Sequence, residues 1–160
     1  MTRTYLLTIL LGLLPISELR GAIPFAYFNG VPLWLSAVIG ILSNALVPLI
    51  GFTFLGSLHK LLDKWPFYHR LFEKTVARAR GKVGEKVHKY GLLGLMLFVA
   101  IPLPITGAWT GTLGAWVMGL NPKKCMPFIL LGVLISGIIV TTVIFTGSEL
   151  ASLFTKTVNI

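Results

Sequence analysis

The chain has 160 residues, of which 55% are hydrophobic and only 12% charged, with a mean hydropathy of +0.85 and a formal net charge of +9. That balance excludes an ordinary soluble domain and marks an integral membrane protein. Its single cysteine, Cys125, excludes an internal disulfide framework and a cysteine-based metal cluster.

Arg3 followed by the apolar run Tyr5 to Leu14 has the look of a leader peptide, but no small-x-small cleavage pattern follows it. The run is too short to cross about 30 Å of hydrocarbon. Pro15 then removes a backbone donor and Pro24 removes another nine residues later, so a continuous straight helix is disfavoured. The expected element is a re-entrant helical hairpin over about residues 5–30. Within it lie Glu18 and Arg20, the only formal charges between Thr4 and Leu58. A charge at this depth costs about 2.5–3.5 kcal/mol on insertion scales, so it normally faces a partner or an aqueous cavity.

A transmembrane helix is expected over 33–56, bent where Asn44 and Pro48 fall and with Asn44 as a cavity-lining candidate. Residues 57–90 hold nine of the fourteen Lys and Arg, against Asp63, Glu73 and Glu85. Phe67, Leu71, Thr75, Ala79, Val83 and Val87 recur every fourth position there, which predicts a basic amphipathic linker helix suited to an anionic bilayer surface. Nucleic acid is not an expected partner, because no recognition motif accompanies the charge. His59, His69 and His88 lie in the same segment and read as surface residues.

Residues 91–119 carry no charge and are interrupted near the middle by Pro102-Leu103-Pro104, which predicts a second hairpin of two half-helices. Thr106, Trp109 and Thr110, with Thr112, offer hydroxyls and an indole to the wall of a cavity. Gly107, Gly111, Ala115 and Gly119 form a small-residue stripe that predicts close helix packing. A final transmembrane helix is expected over 125–148.

The two halves echo each other. Pro15-Ile-Ser, Gly21-Ala22 and Gly30-Val31-Pro32 answer to Pro104-Ile-Thr, Gly107-Ala108 and Leu120-Asn121-Pro122, and Phe54-Leu-Gly answers to Phe145-Thr-Gly. Matched broken segments in two halves point to a transport site. Irregular backbone at membrane depth survives only against protein or water, so both breaks imply a shared polar interior. Counting positive charges does not decide between hairpins that re-enter and segments that cross. Either topology puts eleven Lys and Arg inside and two outside.

Pro-Ile-Ser-Glu18-Leu-Arg20-Gly-Ala-Ile-Pro and Ile-Pro-Leu-Pro104-Ile-Thr106-Gly-Ala-Trp109-Thr110-Gly together resemble the small multidrug export protein family, a branch of the DedA superfamily. The resemblance covers about residues 5–147. It implies paired re-entrant hairpins and a transporter or lipid-translocating role. The second hairpin departs from DedA-type lipid-phosphate carriers, which carry arginines there.

The reading is an all-α integral membrane protein of the cell (inner) membrane, a single multi-pass domain over 1–160. It is built of two inverted repeats, 1–56 and 91–148, each a hairpin followed by a transmembrane helix and joined by the basic linker 57–90. Glu18 is the candidate proton-binding group, since burial disfavours the charged carboxylate and lets protonation alternate with substrate or conformation. Glu18 and Arg20 would point about 200° apart on an ideal helix, but could pair in a turn. Arg20 otherwise offers its planar fork to an anionic group.

The expected function is a small transporter exporting hydrophobic or cationic compounds with proton coupling. The alternatives are a lipid or lipid-phosphate scramblase and a non-transporting membrane adaptor. No enzymatic motif, metal site or cofactor is expected. Membrane lipids, a small-molecule or lipid substrate and a second copy in a homodimer are the expected partners.

Overall fold

The computed structural model describes residues 1–57, 76–77, 81, 83, 87, 89–103 and 106–158, with side chains described through 148. Among these residues every regular element is helical and there is no strand. The helices are α1 (Thr2–Leu13), α2 (Glu18–Phe28), α3 (Leu33–Ala45), α4 (Val47–Gly56), α5 (Lys89–Ala100), α6 (Ala108–Val117) and α7 (Pro122–Val158).

Two stretches are long and apolar enough to cross a membrane, Leu33–Gly56 with 24 residues and Pro122–Ser148 with 27. The first pauses at Leu46, with Pro48 inside the first turn of α4, where its missing N–H is least needed. The second begins earlier than the expected 125. Asn121 Oδ1 accepts the Lys123 N–H at 2.9 Å and caps a helix whose first residue is Pro122. It also runs on past 148, for 37 residues in all, because nothing after Ser148 breaks it.

Four shorter helices occupy the broken segments. α1 has 12 residues and α2 has 11, joined by a turn at residues 14–17. α5 has 12 residues and α6 has 10, joined through residues 101–107. Pro15 and Pro102 stand in these two breaks, whereas Pro104 lies outside the described residues. Pro24, expected to break the chain, instead lies inside α2. Its ring removes a single donor, the one for the Arg20 carbonyl, and the helix continues to Phe28.

The described chain forms two compact units, Met1–Ser43 with Gly137–Ile160, and Asn44–Ser136. In the first, α1 packs on α2. A methyl on Gly12 would collide with Ser43 Oγ and one on Gly40 would fall 2.5 Å from Ile23 Cγ1, so α3 lies tight against both. Leu19, Ala22, Ile23 and Ala26 supply the buried face of α2.

In the second unit α4 packs on α6, where a methyl on Gly51 would fall 2.9 Å from Thr112 Cγ2. α6 meets α5 through Gly111, whose added methyl would lie 2.6 Å from Val99 Cγ2. The small stripe therefore packs as expected at Gly107, Gly111 and Ala115, all buried, but not at Gly119. That residue is exposed with φ +68 and terminates the helix.

Most of the basic linker stripe, including Phe67, Leu71, Thr75 and Ala79, lies outside the described residues, as do the three histidines. Val83 is described, and it differs from the expectation of a bilayer-facing residue. It is fully buried, with its Cγ2 2.5 Å from where a methyl on Gly114 would sit, so at this point the stripe meets α6.

Candidate functional site

The turn at residues 14–18 is built from its sequence in order. Leu14 precedes a proline and is extended (φ −73, ψ 136), and its N–H still donates to the carbonyls of Leu10 and Leu11 at 3.0 and 3.3 Å. Pro15 and Ile16 turn the chain at the surface, Ile16 with 94% of its area exposed. Ser17 donates its hydroxyl back to the Leu11 carbonyl, whose regular helical donor would be the nitrogen of Pro15, which carries no hydrogen. The Glu18 N–H donates to the Leu14 carbonyl at 3.0 Å, and the Gly21 N–H to the Ser17 carbonyl at 3.0 Å.

Glu18 then takes φ +48, the one positive φ outside glycine among the described residues. This left-handed conformation costs a side-chain-bearing residue about 1–2 kcal/mol. Glu18 is also only 2% exposed. Its carboxylate opens α2, where the positive end of the helix dipole favours negative charge. Arg20 Nη2 lies 3.9 Å from Glu18 Oε2, at the outer limit of an ion pair, with its own side chain 20% exposed. The left-handed turn thus brings together two charges that an ideal helix would hold apart.

The second break uses the same devices with different residues. The Leu103 N–H donates to the Ile101 carbonyl at 2.8 Å across Pro102. The Thr106 hydroxyl lies 2.6 Å from the Ile101 carbonyl and 2.8 Å from that of Leu103, and accepts the Leu103 N–H at 3.1 Å. Thr106, expected on a cavity wall, spends its hydroxyl on the freed backbone of the break. Gly107 follows with φ 138 and ψ −169, a conformation open only to glycine, and opens α6.

The correspondence continues to the end of each short helix. Val31 N–H donates to Ala26 carbonyl at 3.1 Å and Gly30 N–H to Tyr27 carbonyl at 3.0 Å; Leu120 donates to Ala115 at 3.0 Å and Gly119 to Trp116 at 3.0 Å. Gly30 and Gly119 carry φ +85 and +68. Glu18 and Gly107 are 89 residues apart, as are Gly30 and Gly119. The sequence echo had set Gly21-Ala22 against Gly107-Ala108; the hydrogen bonds set Glu18-Leu19 there.

Of the remaining candidates, Asn44 is buried at the end of α3, at the edge of the second unit. Trp109 and Thr110 are half-buried on α6, and the Trp109 ring edge lies 3.9 Å from where a methyl on Gly51 would be. Thr112 is buried and donates to the Ala108 carbonyl at 2.6 Å. The structure therefore joins Glu18 with Arg20 in one unit and puts Asn44, Thr106, Trp109 and Thr110 in the other. Ser17 escaped the sequence reading, although the repeated Pro-Ile-Ser and Pro-Ile-Thr runs carried its signal. Among the described residues, His, Cys, Asp and Glu do not gather in a group of three that could hold a metal ion.

No curated protein and no solved structure matches this chain. A family model does, over residues 18–139, beginning at Glu18 itself and taking in both breaks' left-handed residues, the whole of Leu33–Gly56 and the first two thirds of Pro122–Ser148. With two helices of membrane-crossing length and a match over most of its residues, the chain is a membrane protein belonging to the family described as "Putative small multi-drug export protein".

Proposed function

We propose that this protein is a multi-pass inner-membrane exporter of small hydrophobic or cationic compounds, driven by proton exchange at Glu18. The observation that carries the reading is a buried carboxylate set at a helix break, beside a largely buried arginine, in a chain whose family is described by drug export. A group ionising at such a place titrates in step with whatever changes its surroundings, which is the requirement for coupling.

The two units' matched turns and matched helix ends support a further part of the reading. The chain consists of two inverted repeats, each a re-entrant hairpin followed by a membrane-crossing helix, within the wider DedA superfamily. The hydroxyl groups of Ser17 and Thr106 favour re-entrance, because they satisfy backbone at the breaks without bulk water. The protein transports without chemical conversion and works as a homodimer among membrane lipids. Trp109, Thr110 and Asn44 contribute uncharged contacts to the compound carried.

The test is reconstitution into liposomes with and without an imposed pH gradient, reading both a cationic dye and a lipid reporter. The gradient is expected to drive dye transport, and Glu18→Gln to reduce it at least about tenfold, the loss of one transition-critical contact. Lipid movement that ignores the gradient and Glu18 would replace this reading with the scramblase.

Topology needs a separate reporter, since Cys125 is buried and would label poorly on either face. Lys124→Cys in a Cys125→Ala background puts the thiol at an exposed site. Re-entrance predicts no labelling of intact cells by a membrane-impermeant maleimide, and strong labelling only after permeabilisation.

A further inference from the structure

We infer that the two membrane-crossing helices are jointed at matched points, residues 44–50 and 133–137, and that the proposed export cycle bends them there. On the exporter reading these joints are what the cycle moves; their position comes from the backbone alone.

The compact units do not coincide with the two sequence halves. The chain passes from one unit to the other at Ser43–Asn44 and at Ser136–Gly137, and both passages fall inside the long apolar stretches. Each unit therefore holds one half of each long helix. The half that ends at Ser43 and the half of α7 that starts at Gly137 go with α1 and α2, and the other two halves go with α5 and α6.

Glycines fasten each half to its own unit. In the first unit a methyl on Gly12 would collide with Ser43, one on Gly40 would fall 2.5 Å from Ile23 Cγ1, and one on Gly137 would collide with Ile41. In the second, a methyl on Gly51 would fall 2.9 Å from Thr112 Cγ2 and one on Gly132 would fall 2.7 Å from the Met96 carbonyl. A change of angle between the units must then be absorbed between these grips, over residues 44–50 and 133–137.

Both intervals carry a residue that weakens a helix. Pro48 brings no N–H to the ladder, and α3 stops at Ala45 before α4 starts at Val47. Ser136-Gly137 is the kind of pair at which helices bend, and glycine costs a helix interior about 1 kcal/mol against alanine. The two places are equivalent. Leu33 and Pro122 begin their helices 89 residues apart, and Thr53 and Thr142, also 89 apart, each donate a hydroxyl to the carbonyl four residues back at 2.8 Å. Pro48 and Gly137 lie between these markers at the same separation of 89. Pro32 with Pro122 and Phe54 with Phe145, which echo in sequence, stand 90 and 91 apart and fall outside this register. One long helix thus has a standing break where the other stays continuous but pliant.

The test is amide hydrogen exchange of the full-length protein in lipid nanodiscs, corrected for intrinsic rates, with dye transport measured on the same variants in liposomes. A stiff crossing helix exchanges slowest at its middle. In the wild type, the amides of Leu46, Val47 and Leu49 and of residues 137–139 are instead expected to exchange about fivefold faster than those of residues 38–40 and 130–132, the effect of one hydrogen bond of ordinary net strength. Pro48→Ala restores the missing N–H, and Gly137→Ala stiffens α7 when Ile41→Ala makes room, leaving Ile41 Cβ 3.8 Å from the new methyl. The three substitutions together should bring the joint amides down to the flanking rates and slow gradient-driven dye transport about tenfold, as expected when a conformational step limits the cycle. Pro48→Gly, which keeps the helix weak without the proline ring, should retain both fast exchange and transport.

Wild-type joint amides no faster than their flanks would overturn the joints. So would a stiffened protein, slow at both joints, that transports at the wild-type rate, or Pro48→Gly that exchanges fast yet loses transport. If the stiffened protein does not fold, the wild-type exchange pattern and Pro48→Gly decide alone. A wild type that carries no dye while its joint amides exchange fast sinks the exporter and leaves the joints standing.

Discussion

The two breaks solve one problem with unequal materials. Each must stop a short helix at a proline, return a hydroxyl to the stranded carbonyls, and start the next helix from a residue with positive φ. At residue 107 the chain uses glycine, for which that conformation carries no side-chain penalty. At residue 18 it uses a buried glutamate and accepts about 1–2 kcal/mol of backbone cost. A residue kept where the backbone prefers another marks a place where something other than stability decided its identity. On the proposed function, the difference separates a structural break from the one that carries the exchanged proton.

Packing behind the breaks offers the harshest way to test the comparison. In the first unit the close approach is Gly12 of α1 against Ser43 of α3, whose hydroxyl can rotate away and whose Cβ, 2.9 Å from the added methyl, needs only a small shift of the side chain. In the second it is Gly132 of α7 against the backbone carbonyl of Met96 in α5, where a methyl would fall 2.7 Å away and also 2.7 Å from Val99 Cβ. Gly132→Ala is expected to cost about 3 kcal/mol in reversible unfolding from mixed micelles, and Gly12→Ala only about 1 kcal/mol. Equal costs would mean that the two seams are equally rigid.

The next effect is one of sign. Gly107→Ala should destabilise by about 2 kcal/mol, because alanine cannot hold φ 138 without strain. Glu18→Gly should instead stabilise by about 1 kcal/mol, the backbone relief outweighing a loose ion pair and the extra freedom of glycine when unfolded. The same Glu18→Gly variant should lose gradient-driven transport. A destabilised Glu18→Gly would show that the carboxylate is structural.

The smallest effect concerns the hydroxyls. Thr106→Ala is expected to cost about 1.5 kcal/mol and Ser17→Ala about 1 kcal/mol, since the Thr106 hydroxyl shares its one hydrogen between two carbonyls and also accepts an amide N–H, while the Ser17 hydroxyl donates to one carbonyl. A reversed order would mean that water already satisfies the second break.

Particular residues show what could be read ahead of the structure. The breaks at Pro15 and Pro102 and the long apolar stretch 33–56 were legible, because proline acts locally and hydrophobic length needs no partner. Pro24 was not, since a proline within a helix whose neighbours hold it removes one hydrogen bond and nothing more. The register of the two halves is given by one echo and obscured by another: Pro15 and Pro104 stand 89 apart, as Glu18 and Gly107 do, whereas Gly21 and Gly107 stand 86 apart. Identity suggested matching the Gly-Ala pairs, but the backbone matched a glutamate to a glycine, and a dihedral angle shared by unlike side chains leaves no trace in composition. Ser17 and Thr106 are visible as a repeated pattern, Pro-Ile-Ser and Pro-Ile-Thr, but nothing in that pattern says which carbonyl each hydroxyl meets.

The shortness of the paired helices has a consequence for how the chain enters a membrane. α1, with 12 residues, is about 18 Å long, and α2, with 11, is shorter still. Neither reaches across about 30 Å of hydrocarbon. Assembly from independently inserted spans that later associate is therefore closed to them. On the proposed re-entrant topology, α1 and α2 leave the translocation machinery as one object, with the turn already made and Ser17 already on Leu11. For a hairpin that re-enters in this way, insertion and tertiary folding are a single step, and an error in the turn becomes a failure of insertion.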